Sequence, residues 1–133
     1  MKIPVIAMNS AVYDDEKQLI PILTDSVKNY NQIHFFKTGT SIYKVDLSMV
    51  DYILAYGNYS KIVMPNKQLT VGDTLKEIEE LLNEKEFIRI HRSCIVSIKK
   101  IEKIKDNIVY INNINLPVGK LYREEFFNRI LQF

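Results

Sequence analysis

Residues 87–98 read Phe-Ile-Arg-Ile-His-Arg-Ser-Cys-Ile-Val-Ser-Ile, a run dominated by β-branched and aromatic residues. Phe87, Arg89 and His91 alternate with Ile88, Ile90 and Arg92. A period of two belongs to a strand whose faces meet different surroundings. Just upstream the period changes: Leu75, Ile78, Leu81 and Leu82 fall at helical spacing over residues 74–82. Asp73 or Thr74 can cap this helix, and Glu77 stands where a capping box begun at Thr74 needs it. The expected unit is a short amphipathic helix, its apolar face on a sheet and its acidic face in water, followed directly by strand.

The same β character extends outward from this unit. IHFFKTG (33–39), TSIYKVDL (40–47) and DYILAYGNYSKIVMP (51–65) are strand-like, and Lys37-Thr38-Gly39-Thr40 reads as a tight turn with Gly39 at positive φ. Pro65-Asn66-Lys67 reads as a hairpin connection. Downstream, KKIEKI (99–104), NIVYIN (107–112) and INLPVG (114–119) are further strands, with Asp106-Asn107 and Asn112-Asn113 as hairpin turns. LYREEFFNRILQF closes the chain with Leu121, Phe126, Ile130 and Leu131 near helical spacing. The fold class expected is mainly β with short helices, the strands antiparallel. Residues 1–32 differ in kind: KIPVIAMNS reads as a buried strand, and Asp14 to Tyr30 as a helix broken or begun at Pro21. The expected division is an appendage or linker, 1–32, and a domain, 33–133.

A chain of 133 residues that is 47% hydrophobic can bury a core without disulfides or metals. Its single cysteine, Cys94, permits neither an internal disulfide nor a cysteine-based zinc site, and a reducing cytoplasm suits it. The apolar run at the N-terminus is cut by Asp14 and Asp15, too early for a signal peptide or a membrane span. Net charge is only +2, but residues 85–105 set seven basic residues against Glu86 and Glu102, a local +5. A positive strip on a near-neutral protein suits phosphate contact. A solvated basic edge strand is the other reading of the same charges.

No residue set for catalysis stands out. His91 and Cys94 lie three apart, which in a continuous strand puts them on opposite faces and argues against a nucleophilic pair. Gly39, Gly57, Gly72 and Gly119 are isolated, so there is no glycine-rich phosphate loop, and no metalloprotease or serine-hydrolase motif occurs. The reading is of a protein that is not an enzyme and needs no cofactor.

Three segments in order carry a family likeness: VDYILAYGNYSKI (50–62), TLKEIE (74–79) with FIRIHRSCIV (87–96), and LPVGK (116–120). Together they resemble the LytTR DNA-binding domain of bacterial response regulators, over about residues 33–133. The resemblance implies a sandwich of small antiparallel sheets whose edge loops enter successive major grooves of double-stranded DNA, with two copies on promoter direct repeats, a homodimer among the options. Carried over by position, it marks Asn58, Tyr59, Ser60 and Lys61, then Arg92 in the His-Arg-Ser element, and Lys120 after LPVG. Arg92 can fork onto guanine or a phosphate, Asn58 can read adenine or a phosphate oxygen, and Lys120 offers a point charge. Lys61, Arg89, Lys99 and Lys100 suit backbone positioning, with His91 beside them. Each has a plainer reading. Asn58 is also a turn former, Arg92 can pair with Glu86 or Glu102 across strands, and Lys120 can be a surface lysine. His91 can bond a backbone carbonyl inside, and Tyr56 and Tyr59 are open between core and phosphate contact. Many relatives carry a receiver domain controlled by phosphorylation, for which this sequence leaves no room. The competing function is a β-rich protein-interaction module. RNA is disfavoured, since the base-stacking aromatic pairs of RNA-recognition sheets are missing.

Overall fold

The computed structural model describes residues 32–133, and Phe35–Phe133 form one compact unit. The strand and helix expected before residue 32 lie outside the described residues. Ten strands follow in order: β1 (Ile33–Thr38), β2 (Ser41–Asp46), β3 (Tyr52–Tyr56), β4 (Tyr59–Met64), β5 (Lys67–Val71), then helix α1 (Leu75–Glu79), β6 (Phe87–His91), β7 (Cys94–Ser97), β8 (Lys103–Lys105), β9 (Ile108–Ile111), β10 (Ile114–Pro117) and helix α2 (Arg123–Gln132). β1 and β2 make a two-stranded sheet, β5-β4-β3-β7-β6 a five-stranded one, and β10-β9-β8 a three-stranded one. Every pairing in the two larger sheets is antiparallel. The mainly β fold of small antiparallel sheets is the one the residues lead one to expect.

Turn chemistry explains the hairpins. Asp106 and Asn107 (φ 53° and 60°), and Asn112 and Asn113 (φ 47° and 66°), all sit in the left-handed region. Two consecutive positive φ values match the right-handed twist of the flanking strands, and Asn and Asp tolerate them. Gly39 and Gly57 take φ 63° and 59° at the ends of β1 and β3. Thr74 caps α1, its hydroxyl accepting from Glu77 N while Glu77 accepts from Thr74 N at 2.8 Å.

Hydrophobic layers cover both faces of the five-stranded sheet. On one face Ile53, Ile62 and Ile95 meet Phe36, Val45 and, from α1, Leu75 and Ile78. On the other, Tyr52, Val63, Ile88, Ile90 and Val96 meet Val109, Ile111 and Leu116 of the three-stranded sheet and Phe126 of α2. Burial on both faces is why Phe87, Ile88 and Ile90 are all inside, in place of a clean in–out alternation.

Three expectations need correction. α1 stops at Glu79, so Leu81 falls beyond the helix and is exposed while Leu82 reaches the core. Leu121 and Leu131 keep 94% and 84% of their surface, because the first precedes α2 in a 3-10 turn and the second lies on its outer face; Phe126 anchors the helix. Finally, residues 87–98 are a hairpin and not one strand. The chain reverses at Arg92-Ser93, with a register shift between Arg89 and His91, so His91 and Cys94 lie opposite each other as partners.

Candidate nucleic-acid interface

The register brings the three marked places to one end of the five-stranded sheet. Tyr56 pairs with Tyr59 across the Gly57-Asn58 turn, while Leu54 pairs with Cys94. Ala55 N donates to Ser93 O at 2.9 Å, so the β6–β7 turn stands beside the β3–β4 turn. Gly119 N donates to Ile90 O at 2.7 Å, which sets Lys120 at the same end of β6. Segments 58–61, 92 and 120, far apart in sequence, thus share a rim. Lys105 flanks it, because Val118 N donates to Asn107 O at 2.8 Å and draws the β8–β9 turn alongside.

Within the first segment the side chains divide by strand parity. Asn58 is exposed, and its side chain makes no bond among the described residues. Tyr56 and Tyr59 are 64% and 59% exposed, which resolves their reading toward the surface. Lys61 lies two residues on from Tyr59, on the same face, with its Nζ 5.0 Å from the centre of the Tyr56 ring. Ser60 points the other way. It is 1% exposed, and its hydroxyl donates to Asp73 O at 2.7 Å, so it cannot reach a ligand at the rim. Its work is to tie β4 to the segment that starts α1. Ser60→Ala is expected to lower stability by about 1 kcal/mol, the net worth of one buried hydrogen bond. DNA affinity should stay within about twofold at a temperature where the variant is folded. A urea melt and a binding titration check both, and lost affinity with unchanged stability would return Ser60 to the contact set.

The second segment is held more tightly. Ser93 N donates to His91 Nδ1 at 3.2 Å, and Ser93 Oγ lies 2.9 Å from the same nitrogen. Because Nδ1 accepts, the ring proton belongs on Nε2, which leaves that N–H as the imidazole's donor. His91 therefore serves the turn, and among the described residues its ring bonds Ser93 and no distant carbonyl. Arg89 sends Nε to His91 O at 3.2 Å, Nη2 to Arg92 O, and Nη1 to Glu79 Oε1 at 3.2 Å. Arg92 is exposed, and its guanidinium has no partner among the described residues; it pairs with neither Glu86 nor Glu102. Cys94, opposite His91, is buried, and burial pushes its thiol up to about 12. Such a thiol stays protonated and makes a poor nucleophile.

Lys120 begins a 3-10 turn, is exposed and has no partner among the described residues. Lys99 and Lys100 are separated from these groups. They follow β7 at its far end, where Ser97 pairs with Phe87 and Ser97 N donates to Asp51 O. Four residues of strand, about 13 Å, divide that end from the Arg92 turn. Lys99 Nζ is 3.8 Å from Glu86 Oε1. Lys100 Nζ is 3.2 Å from Oδ1 of the buried Asp51, a charge pairing not aligned as a hydrogen bond, and Asn112 donates to Oδ2 at 2.8 Å. Lys99 and Lys100, which suit backbone positioning by sequence, therefore stand at the end of the sheet away from Arg92. No group of His, Cys, Asp or Glu that could hold a metal occurs among the described residues. No helix there is long and apolar enough to cross a membrane.

Comparison with known proteins bears on this rim. The family model of the LytTr DNA-binding domain matches residues 40–131. The sensory transduction protein LytT of Bacillus subtilis (strain 168) is 30% identical over 93 residues, 65% of this chain and 39% of that protein. The transcriptional regulatory protein LytR of Staphylococcus aureus (strain N315) is 25% identical over 118 residues, 84% of this chain and 48% of that protein. The chain thus spans less than half the length of these curated relatives. A solved LytTr DNA-binding domain of a methyl-accepting/DNA response regulator from Bacillus cereus superposes with a TM-score of 0.65 at 28% identity, covering 77% of this chain and 98% of that one.

Proposed function

Because this chain belongs to the LytTr DNA-binding domain family, we propose that it binds double-stranded DNA as a cytoplasmic transcription regulator, reading promoter direct repeats through the rim of its five-stranded sheet. The observation that carries this reading is the convergence of Asn58, Arg92 and Lys120 at one end, each exposed and each without a partner among the described residues. Polar groups that face solvent unpaired, on turns fixed by a rigid sheet, are free to meet base edges and phosphates. Arg92 forks onto a guanine or a phosphate, Asn58 reads adenine or a phosphate oxygen, and Lys61 and Lys120 sit on phosphates. Two copies, as a homodimer or side by side, occupy tandem sites whose centres are about 10 base pairs or a multiple apart.

Selection of bound sequences from a random duplex pool tests this directly and is expected to return a direct repeat. Affinity for the selected duplex, followed by fluorescence anisotropy, should fall steeply with salt. About three phosphate contacts give a slope of log K against log salt near −3. Equal affinity for selected and random duplexes at every salt concentration would sink the sequence-specific reading. Failure to retard any duplex at low salt, with a protein captured instead, would favour the interaction module.

A further inference from the structure

Arg89 carries a charge at the rim, yet its guanidinium is turned inward. Nε donates to His91 O at 3.2 Å, Nη2 to Arg92 O, and Nη1 to Glu79 Oε1 at 3.2 Å, with only 24% of the side chain exposed. These two carbonyls belong to the tightest part of the β6–β7 turn, next to the register shift between Arg89 and His91. Arg92 O lies in the turn outside the paired strands, so a planar cation that bonds it together with His91 O fixes the direction of the turn. Glu79 ends α1, on a different element, and fixes the cation in turn.

We infer that Arg89 is a positioning residue for DNA binding: it sets the backbone from which Arg92 projects, and Glu79 holds it there. The inference rests on the reading of the rim as a DNA-binding surface. A two-residue turn that carries a long side chain must be ordered when that side chain meets a base, and a turn already ordered avoids this cost. Lysine cannot replace Arg89, because a single ammonium cannot bond two carbonyls and a carboxylate with the planar fork that reaches all three.

The test exploits a sign. On general electrostatics, removal of a negative charge near the rim raises affinity for DNA. Glu79→Gln is instead expected to weaken binding to the pool-selected duplex by about fivefold to tenfold, because the clamp loosens. Arg89→Lys, which keeps the charge, should weaken it by a similar factor. In both variants the salt slope should match that of the unaltered protein, since no phosphate contact is lost, and amide exchange of Arg92 and Ser93 should quicken while the urea midpoint moves little. Glu79 is 44% exposed in its side chain, so its variant keeps the core intact. Unchanged or raised affinity in Glu79→Gln overturns the inference alone, provided the unaltered protein prefers the selected duplex. A salt slope shallower by about one in Arg89→Lys also overturns it, by making Arg89 a phosphate contact. If the unaltered protein prefers no duplex, the inference and the DNA-binding reading fall together.

Discussion

Arg92→Ala is expected to cost about tenfold to a hundredfold in affinity for the selected duplex, and much less for random DNA. A bidentate guanidinium–base contact is worth about 1–3 kcal/mol of discrimination, and loss of the fork removes it at one base pair only. The structure favours a large effect because Arg92 is exposed and has no side-chain partner among the described residues, so the substitution breaks no bond there. Its backbone is already fastened through His91, Ser93 and Arg89, so alanine should leave the turn in place. Lys99→Ala is the matched control. It removes one positive charge at the far end of β7, beside Glu86, and should change affinity less than about twofold. Binding titrations with single-base variants of the selected site decide the matter. If Arg92→Ala weakens all sequences alike and lowers the salt slope by about one, Arg92 holds a phosphate and the specificity lies elsewhere. If Lys99→Ala proves equally damaging, the DNA spans both ends of the sheet and the rim is drawn too narrowly.

The comparison of these two residues also shows what could be read from the residues alone. Strand character and turns were legible, because they depend on local chemistry: Asp106-Asn107 and Asn112-Asn113 needed only their tolerance of positive φ, and the Thr74–Glu77 capping box only its spacing. The β6–β7 hairpin was not legible. Arg92-Ser93 carries neither glycine nor Asn-Gly, and the reversal rests on side chains, His91 bonding Ser93 and Arg89 bonding two carbonyls. A uniform β-branched run thus concealed a turn, and with it the pairing of His91 with Cys94. Ser60 turns inward for a different reason. Likeness by position marks a place in the chain, whereas strand parity decides which neighbours face out, and Ser60 falls between the exposed Tyr59 and the half-buried Lys61. The role of Glu79 depends on a contact ten residues away, for which a list of apolar spacings has no signal.

Phe126→Ala should have the largest effect on stability. Phe126 has no exposed surface, and in α2 it is the only residue so placed. It packs edge-on to Phe127, ring centroids 5.1 Å apart, within the cluster that holds Ile90, Val118 and Val109. Truncation of a buried phenylalanine costs about 3–5 kcal/mol, the transfer term plus the cavity left behind. That is a fifth or more of what a domain of this size has in reserve, typically about 5–15 kcal/mol. At about 4–8 °C per kcal/mol, a melting temperature lower by more than ten degrees follows. The damage should also reach the rim. α2 begins immediately after the turn that carries Lys120, and Arg129 reaches from it to Phe87 O at 3.4 Å, beside the β6 strand that leads to Arg92. A loosened helix therefore frees Lys120 from its place beside Ile90, and DNA affinity should fall even at temperatures where the sheet persists. Circular dichroism melts and binding titrations at low temperature separate the two effects. A melting temperature lowered by only a degree or two would mean that α2 contributes little to the core, and that Lys120 is held by the Gly119–Ile90 hydrogen bond alone.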